Sequence, residues 1–464
     1  MYHQFTKYYF LGIGGIGMSA IARYYKMLGY EVAGYDRMQT RLTNTLMSEG
    51  IAVSFEEHVA NIPVEFLDAA KTLVVLTPAV PNDHPQLLYL RQHDFRIMKR
   101  AELLGEITRM KKGICIAGTH GKTTTSTITA HLYRQSHVDC SAFLGGISNN
   151  YQTNLLVSKE SNFVVIEADE YDRSFHTLHP YMAVITSADP DHLDIYKTPD
   201  AFKESFEKFA SLVATGGALI IKKGIDLQPK LQQGVKLYTY SMDEGGDFYA
   251  ERIRIKPHEI YFDFHTPTEI IADVRLGVPV KINIENSVAA MALAWLGGVK
   301  AEELRAGLAS FSGVYRRFNI LCQSDTIVYI DDYAHHPNEL AASIASIRKM
   351  YPDKKITGIF QPHLYTRTRD FADEFARVLS ALDELILTDI YPARELPIDG
   401  VDPDLILNKM TLDKKQYCPK SGLISLLEQR DDLELIVSLG AGDIEALVPA
   451  IKDTLKSKIK AKEN

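Results

Sequence analysis

Short apolar runs alternate with amphipathic stretches along most of the chain. A run over residues 8–13 leads into a glycine-rich turn and a helical pattern over 18–28, and a second run over 30–35 ends in Asp36. Another run, 72–76, closes in Thr77-Pro78-Ala79, and residues 100–110 carry helical periodicity. Strands bounded by turns and separated by helices are the pattern of a parallel sheet covered by helices. Lys111-Lys112-Gly113 interrupts this series, and a new one opens with a strand at 113–117, a second glycine-rich turn and a long threonine-rich helix. Strand-like runs recur at 163–166, 183–186 and 219–222, the first two ending in acidic clusters. Around 253–255 and 260–264 the pattern becomes that of an antiparallel pair, and 286–296 is an alanine-rich helix. After Arg316-Arg317 a third series places strands at 326–330, 356–361, 384–388 and 434–439. These breaks predict an α/β protein with domains at 1–110, 111–317 and 318–464, the central sheet mostly parallel with a small antiparallel region and the third domain doubly wound.

Composition narrows the class. At roughly 150 residues per domain, 464 residues suffice for three separate cores, and 46% apolar with 24% charged residues is ordinary globular usage. A net charge of -8 argues against a global nucleic-acid or anionic-membrane partner. The lysine-rich end (Lys452, Lys456, Lys458, Lys460, Lys462) reads as a solvated helix. No run reaches the ~18 apolar residues of a membrane span, and the first residues lack the pattern of an export signal. Cys115, Cys140, Cys322 and Cys418 are too scattered for a disulfide framework or a zinc site and read as reduced core thiols.

The first glycine-rich turn is Gly12-Ile13-Gly14-Gly15-Ile16-Gly17, with Asp36 at the end of the next strand. Glycines there permit a tight turn and close backbone approach to a pyrophosphate at a helix N-terminus, and the acid suits a ribose hydroxyl. NAD and a sugar nucleotide such as UDP both offer those groups, so the nucleotide stays open. The second turn, Ala117-Gly118-Thr119-His120-Gly121-Lys122-Thr123-Thr124, is more specific. Its backbone amides suit phosphate oxygens, Lys122 the β/γ-phosphates, and a threonine hydroxyl a magnesium ion, although Ile116 stands where the standard phosphate loop has its first glycine. A nucleoside triphosphate is therefore expected. The acids Glu167, Asp169 and Glu170, and Asp189, Asp191, His192 and Asp194, follow strands of the same domain, with Glu167 and His192 the foremost metal candidates. A third polar cluster, Asp331-Asp332-Tyr333-Ala334-His335-His336-Pro337, reads as a pocket for an anion or amine, since consecutive histidines rarely face one ion. The run 361–370, with His363, Tyr365, Arg367 and Arg369, supplies guanidinium groups for a carboxylate or phosphate.

In this order, Gly-Thr-His-Gly-Lys-Thr-Thr, Glu-Ala-Asp-Glu, Asp-His-Leu-Asp, Tyr-Arg-Arg-Phe, Asp-Asp-Tyr-Ala-His-His-Pro and Gln-Pro-His-Leu-Tyr-Thr-Arg-Thr-Arg-Asp resemble the Mur ligases of bacterial cell-wall synthesis. The resemblance extends from the first glycine turn to Gly440-Ala441-Gly442-Asp443. It implies a Rossmann-like N-terminal domain for a UDP-sugar, a central ATPase domain, and a Rossmann-like C-terminal domain for an amino acid. The implied reaction joins the lactyl carboxylate of UDP-N-acetylmuramate to the amine of L-alanine through an acyl phosphate, with ATP and Mg2+, in a cytoplasmic monomer or homodimer serving peptidoglycan synthesis. By the same resemblance Gly14, Gly15, Ile16, Gly17, Asp36 and Thr77 meet the UDP-sugar, and Gly118, Thr119, His120, Gly121, Lys122, Thr123 and Thr124 the ATP phosphates. Thr123 or Thr124, Glu167 and His192 are placed at magnesium, Asn283 and Asn286 near adenine, and Arg317 and Asp332 in the nucleotide site. Tyr333, His335, His336 and Arg367 are placed around the amino acid and acyl phosphate. The chain departs from the family at Ile282, where a histidine is usual, at Leu364, where an arginine is frequent, at Thr77-Pro78, and at Tyr171. Lys203 and Lys208 lie near where related ligases carry a carbamoylated lysine.

Three other activities share parts of these motifs. A ligase recycling a tripeptide onto the same sugar nucleotide shares the phosphate loop and the His-His motif, but the run 361–370 fits the alanine-adding reaction better. An NAD-dependent oxidoreductase leaves residues 118–124 without a use, and a nucleotide switch lacks a guanine-reading motif.

Overall fold

The computed structural model describes residues 5–189, 193–243, 245–256, 259–393 and 395–463. The first sheet comprises β1 (Lys7–Leu11), β2 (Glu31–Tyr35), β3 (Ala52–Ser54), β4 (Thr72–Leu76) and β5 (Arg96–Lys99), in the order β3-β2-β1-β4-β5 and parallel throughout. Helices α1 (Ile16–Met27), α2 (Arg41–Ser48), α3 (Pro85–Gln92) and α4 (Arg100–Met110) connect these strands or follow them. Strand β1 reads Lys-Tyr-Tyr-Phe-Leu because both its faces are covered. Tyr8 and Phe10 pack into the core shared with α1, while Tyr9 and Leu11 pack on the other side with Leu87 and Leu90 of α3. Strand order reverses between β1 and β4, so the glycine turn after β1 and Thr77 after β4 flank the switch point where open sheets bind ligands. Helix α1 begins at Ile16, inside the glycine turn and ahead of the predicted start at 18. Helix propensity alone argues against a glycine at position 17; a tertiary contact described below sits where its side chain would be.

The second sheet has ten strands: β6 (Lys112–Ala117), β7 (Ser141–Ser148), β8 (Thr153–Leu156), β9 (Phe163–Glu167), β10 (Pro180–Ile185), β11 (Ala218–Lys222), β12 (Lys236–Ser241), β13 (Phe248–Lys256), β14 (Glu259–His265) and β15 (Ile270–Arg275). Their order is β15-β14-β13-β12-β11-β10-β6-β9-β7-β8. The run from β13 to β7 is parallel, and β14, β15 and β8 add the antiparallel region. Central β6 lies between β10 and β9, which sets the phosphate loop between the two strands whose ends carry the acids. Helix α5 (Lys122–Arg134) follows β6; α6 (Leu193–Tyr196) and α7 (Pro199–Ser211) follow β10; α8 (Ile282–Leu296) and α9 (Ala301–Ser310) complete the layer. Helix α8 starts four residues before the predicted 286, so Asn283 and Asn286 stand one turn apart on it. The alanine-rich pattern marked only its apolar body, whereas the polar first turn is helical as well.

The third sheet, β16 (Asn319–Gln323), β17 (Val328–Asp332), β18 (Ile356–Phe360), β19 (Glu384–Leu387), β20 (Lys415–Tyr417) and β21 (Leu435–Leu439), has the order β16-β17-β21-β18-β19-β20, with only β16 antiparallel. The three-sheet α/β architecture is the one predicted. By internal packing the chain forms two compact units, residues 1–279 with 283–312, and residues 280–282 with 313–464. Cys115, Cys140 and Cys418 are buried as expected, Cys322 at the edge strand β16 is only half-buried, and all four thiols are free. Among the described residues no helix is long and apolar enough to cross a membrane.

Candidate active site

In the first unit the glycine turn is stapled to β2: the amides of Gly12 and Ile13 donate to Tyr35 O at 2.8 and 2.9 Å. Both Asp36 oxygens accept backbone amides, Oδ2 from Gly14 at 2.7 Å and Oδ1 from Met38 at 3.1 Å. Asp36 thus holds the turn that leads into α1, and a ribose hydroxyl would share a carboxylate already in use. Gly12 must be small because a Cβ there would lie 2.5 Å from Thr77 Cγ2. The Ile16 carbonyl accepts Asn154 Nδ2 at 2.6 Å, tying the start of α1 to β8 of the ATP-loop sheet.

The phosphate loop depends on two left-handed glycines. Gly118 (φ 139°) faces Thr186 so closely that a side chain would collide with it, and Gly121 (φ 82°) is the N-cap of α5, its would-be Cβ 2.8 Å from Asn286 Oδ1. The His120 amide donates to Ser187 Oγ at 2.7 Å and Thr119 Oγ1 to Asp189 O at 2.8 Å. The loop is thereby clamped to the end of β10, leaving the first-turn amides of α5 directed as an anion cradle requires. Lys122 Nζ is held by Gly118 O at 2.6 Å and by Glu170 Oε1 at 2.9 Å. Burial pulls the ammonium toward neutrality, but Glu170, Glu167 and Asp169 outweigh it and hold its pKa above the ordinary lysine value. Thr123 is buried and Thr124 half-buried; Asn286 accepts from Thr125 Oγ1 at 3.3 Å and donates to Asn283 Oδ1 at 3.3 Å, so the adenine candidates adjoin the loop.

Glu167 ends β9 with its carboxylate against Gly145 of β7, where any side chain would strike it. Asp169 pairs with Arg100 at 3.2 Å, and Asp172 with Lys99 at 2.8 Å. His192 and Asp191 lie outside the described residues. Among those described, no three His, Cys, Asp or Glu residues converge as a ready metal site. Lys203 pairs at the surface with Asp226 at 2.8 Å. A cavity of about 260 Å3 joins the two sheets of this unit, lined by Gly15, Gly17 and Thr77 on one side and by Arg100, Glu167 and Asp169 on the other. Arg100 lines this cavity and Glu170 pairs with Lys122. Asp169 and Glu170 sat inside a recognised cluster, whereas Arg100 carried no local signal.

In the second unit Arg316 is the anchor. It is 3% exposed and donates to Asp331 Oδ2 at 3.0 Å and to Gly440 O at 2.7 Å, while Ser438 Oγ donates to Asp331 Oδ1 at 2.6 Å. The guanidinium groups of Arg316 and Arg317 lie 5.5 and 4.8 Å from the Tyr333 ring. Burial raises the pKa of Asp332 against the opposing effects of Ser343 and Arg317. The two histidines diverge: His335 faces Tyr333, Glu339 and the His363 ring, while His336 caps α10 (Pro337–Met350) and meets Phe371. Burial, aided by Arg367, lowers the pKa of His335 and keeps the ring neutral, with Glu339 opposing. Arg367 Nη1 is buried without a hydrogen-bond partner among the described residues, a donor suited to a carboxylate. Leu364, in place of the frequent arginine, has φ 71°, and its amide bonds to Tyr391 O at 2.9 Å.

Three family signatures cover the chain: the Mur ligase family catalytic domain over residues 7–112, the Mur ligase middle domain over 116–294, and the Mur ligase glutamate ligase domain over 316–444. The chain belongs to the Mur ligase family. It is 57% identical over 458 residues to the UDP-N-acetylmuramate–L-alanine ligase of Parabacteroides distasonis, covering 99% of both chains. It is 54% identical over 452 residues to the enzyme of the same name from Porphyromonas gingivalis, covering 97% of this chain and 99% of that one. Among solved structures it superposes on UDP-N-acetylmuramate-alanine ligase from Thermotoga maritima with a TM-score of 0.81 and 27% identity, covering 98% of this chain and 99% of that one. The murein peptide ligase of Psychrobacter arcticus shares the fold at a TM-score of 0.70 and 21% identity, over 97% and 99% of the two chains.

Proposed function

We propose that this protein is an ATP-dependent ligase that joins L-alanine to the lactyl carboxylate of UDP-N-acetylmuramate, forming ADP and phosphate, in the bacterial cytoplasm. The observation that carries the reading is the cavity in which the glycine turn of the first sheet meets the acids beside the phosphate loop of the second. One ligand carrying a pyrophosphate can there present its other end to ATP. Residues 1–110 take the sugar nucleotide, 111–317 take ATP, and 318–464 take the amino acid.

A carboxylate is a poor electrophile. Its oxygen attacks the γ-phosphorus, the bond to the β-phosphate oxygen breaks, and ADP leaves; the alanine amine then attacks the acyl phosphate, and phosphate departs from the tetrahedral intermediate. Lys122, held charged by Glu170, stabilises the negative charge on the transferring phosphoryl group, and the first-turn amides of α5 bind its neighbours. The oxygen donors fit a magnesium ion: Glu167 would offer hard oxygens in the recess left by Gly145, with Thr123 or Thr124, and the family resemblance assigns His192 to the same ion. A bound magnesium ion supplies neutralisation of the phosphate charge. Asn283 and Asn286 take the adenine end, and Arg317 and Asp332 also serve the nucleotide. Arg367 holds the alanine carboxylate, and His335, kept neutral, accepts the ammonium proton that the amine must lose.

Phosphate release from ATP and magnesium with UDP-N-acetylmuramate tests this, comparing L-alanine with the L-Ala-γ-D-Glu-diaminopimelate tripeptide and weighing the product by mass spectrometry. Alanine-dependent product is expected, with turnover abolished by Lys122→Ala. Turnover with tripeptide alone would replace the reading by that of a recycling ligase, and turnover with neither would remove it.

A further inference from the structure

The ligand proposed above is anionic at both ends of its sugar, through a pyrophosphate and a lactyl carboxylate, yet the cavity assigned to it is bordered by two carboxylates, Glu167 and Asp169. Bringing an anion into that space requires a cation, because an unpaired charge in a partly desolvated site is costly. Among the described residues, Arg100 is the cation lining this cavity. It is the first residue of α4, it is about one-fifth exposed, and its Nη2 donates to Asp169 Oδ2 at 3.2 Å. Its Nη1 lies over α1 so closely that a Cβ on Gly17 would sit 2.5 Å from it. The guanidinium therefore reaches from the glycine turn to the acid loop along the cavity, with Nη2 held by Asp169.

We infer that Arg100 is a substrate-positioning residue: it pairs with an anionic oxygen of the UDP-sugar inside the cavity, and Asp169 holds its guanidinium in place. This rests on the proposed reaction and adds to it a residue that no motif carries. The planar fork of arginine suits an anion between two loops better than a point charge does. Gly17 is then glycine to admit the guanidinium as well as to admit a phosphate.

The experiment measures steady-state kinetics of the whole enzyme and of Arg100→Ala, Arg100→Lys and Asp169→Asn. Direct binding of UDP-N-acetylmuramate and of UDP-N-acetylglucosamine, which lacks the lactyl carboxylate, is measured alongside. Loss of one charge-assisted contact predicts a roughly tenfold to hundredfold rise in KM for UDP-N-acetylmuramate in Arg100→Ala, with KM for L-alanine and affinity for ATP within about twofold of wild type. Arg100→Lys recovers part of the loss, and Asp169→Asn shows a smaller rise. Equal loss for both sugar nucleotides assigns the contact to the pyrophosphate, and loss confined to UDP-N-acetylmuramate assigns it to the carboxylate. The inference is overturned if Arg100→Ala binds both as wild type does, or if it weakens ATP and L-alanine to the same extent, the mark of a structural lesion. Wild-type turnover is measured in the same series, so a wild-type enzyme inactive with UDP-N-acetylmuramate and alanine defeats the proposed reaction, whereas an active one with an indifferent Arg100→Ala defeats this inference alone.

Discussion

Replacing Glu170 by glutamine tests the electrostatics of the phosphate loop with almost no change in volume. The Glu170 side chain is 2% exposed and that of Lys122 14%, with 2.9 Å between Nζ and Oε1. Breaking a buried ion pair by removing one partner costs about 3–5 kcal/mol, because the other charge remains buried. Lys122 keeps the carbonyls of Gly118 and Thr119 at 2.6 and 3.4 Å, and Glu167 and Asp169 still act on it. These remaining partners bring the expected loss below that range, to about 2–3 kcal/mol, with no cavity contribution. The single tryptophan, Trp295, lies on α8 of the same compact unit, so its fluorescence during urea unfolding reports that unit. Magnesium-ATP returns a counter-charge to Lys122, and in wild type at a hundred times Kd it adds about 2.7 kcal/mol. At one fixed magnesium-ATP concentration the variant should gain more than wild type, because its lysine has no carboxylate to share and so binds the phosphates more tightly. A loss below about 0.5 kcal/mol, or equal ATP stabilisation of the two proteins, would refute the role given to the pair.

Three further outcomes are expected. His131, on α5 and hydrogen-bonded to Tyr151 and Ser310, has its pKa lowered by burial to about 4, so between pH 6.5 and 4 the unfolded chain binds a proton that the folded chain excludes. Stability should fall as pH drops through that window, by up to about 1.4 kcal/mol per unit, and His131→Gln should flatten the fall in Trp295 urea midpoints; an unchanged slope would remove His131 as its source. Arg316→Met leaves Asp331 and Gly440 O buried without their guanidinium, which should destabilise the second unit by about 3–5 kcal/mol. Hydrogen exchange of β17 and β21 amides reads this as a loss of protection, and unaltered exchange would show that the anchor is dispensable. Gly145→Ala places a methyl group on the Glu167 carboxylate and should raise the magnesium concentration needed for ATP turnover; an unchanged magnesium titration would separate Glu167 from the metal.

What was legible beforehand was what depends on neighbours in sequence. The parallel sheets could be read because strands such as Lys112–Ala117 and Leu435–Leu439 are apolar on both faces, and both phosphate-type turns because glycines and Lys122 occur at fixed offsets after such strands. Illegible were the contacts that complete the site across the chain. Lys122 and Glu170 are separated by 48 positions, and Arg100 and Asp169 by 69. Tertiary folding alone brings them together, so no spacing rule selects Arg100 from the other arginines. The same limit applied to Asp36, whose bonds to the amides of Gly14 and Met38 could not be read from its position at a strand end.

Gly17 shows how a local signal can leave out a tertiary contact. As a local signal it belongs to a turn that lets backbone approach a pyrophosphate, and that argument requires only that the turn be open. In the folded chain Gly17 is already helical, and the nearest atom to its missing side chain is Arg100 Nη1, from a helix that follows four more strands. A methyl group at this position must displace the guanidinium, which is anchored at its other edge by Asp169, so the effect of the change travels to the acid loop. The glycine pattern, read as a nucleotide site, and the acidic cluster, read as metal candidates, thus line one cavity, with Arg100 between them.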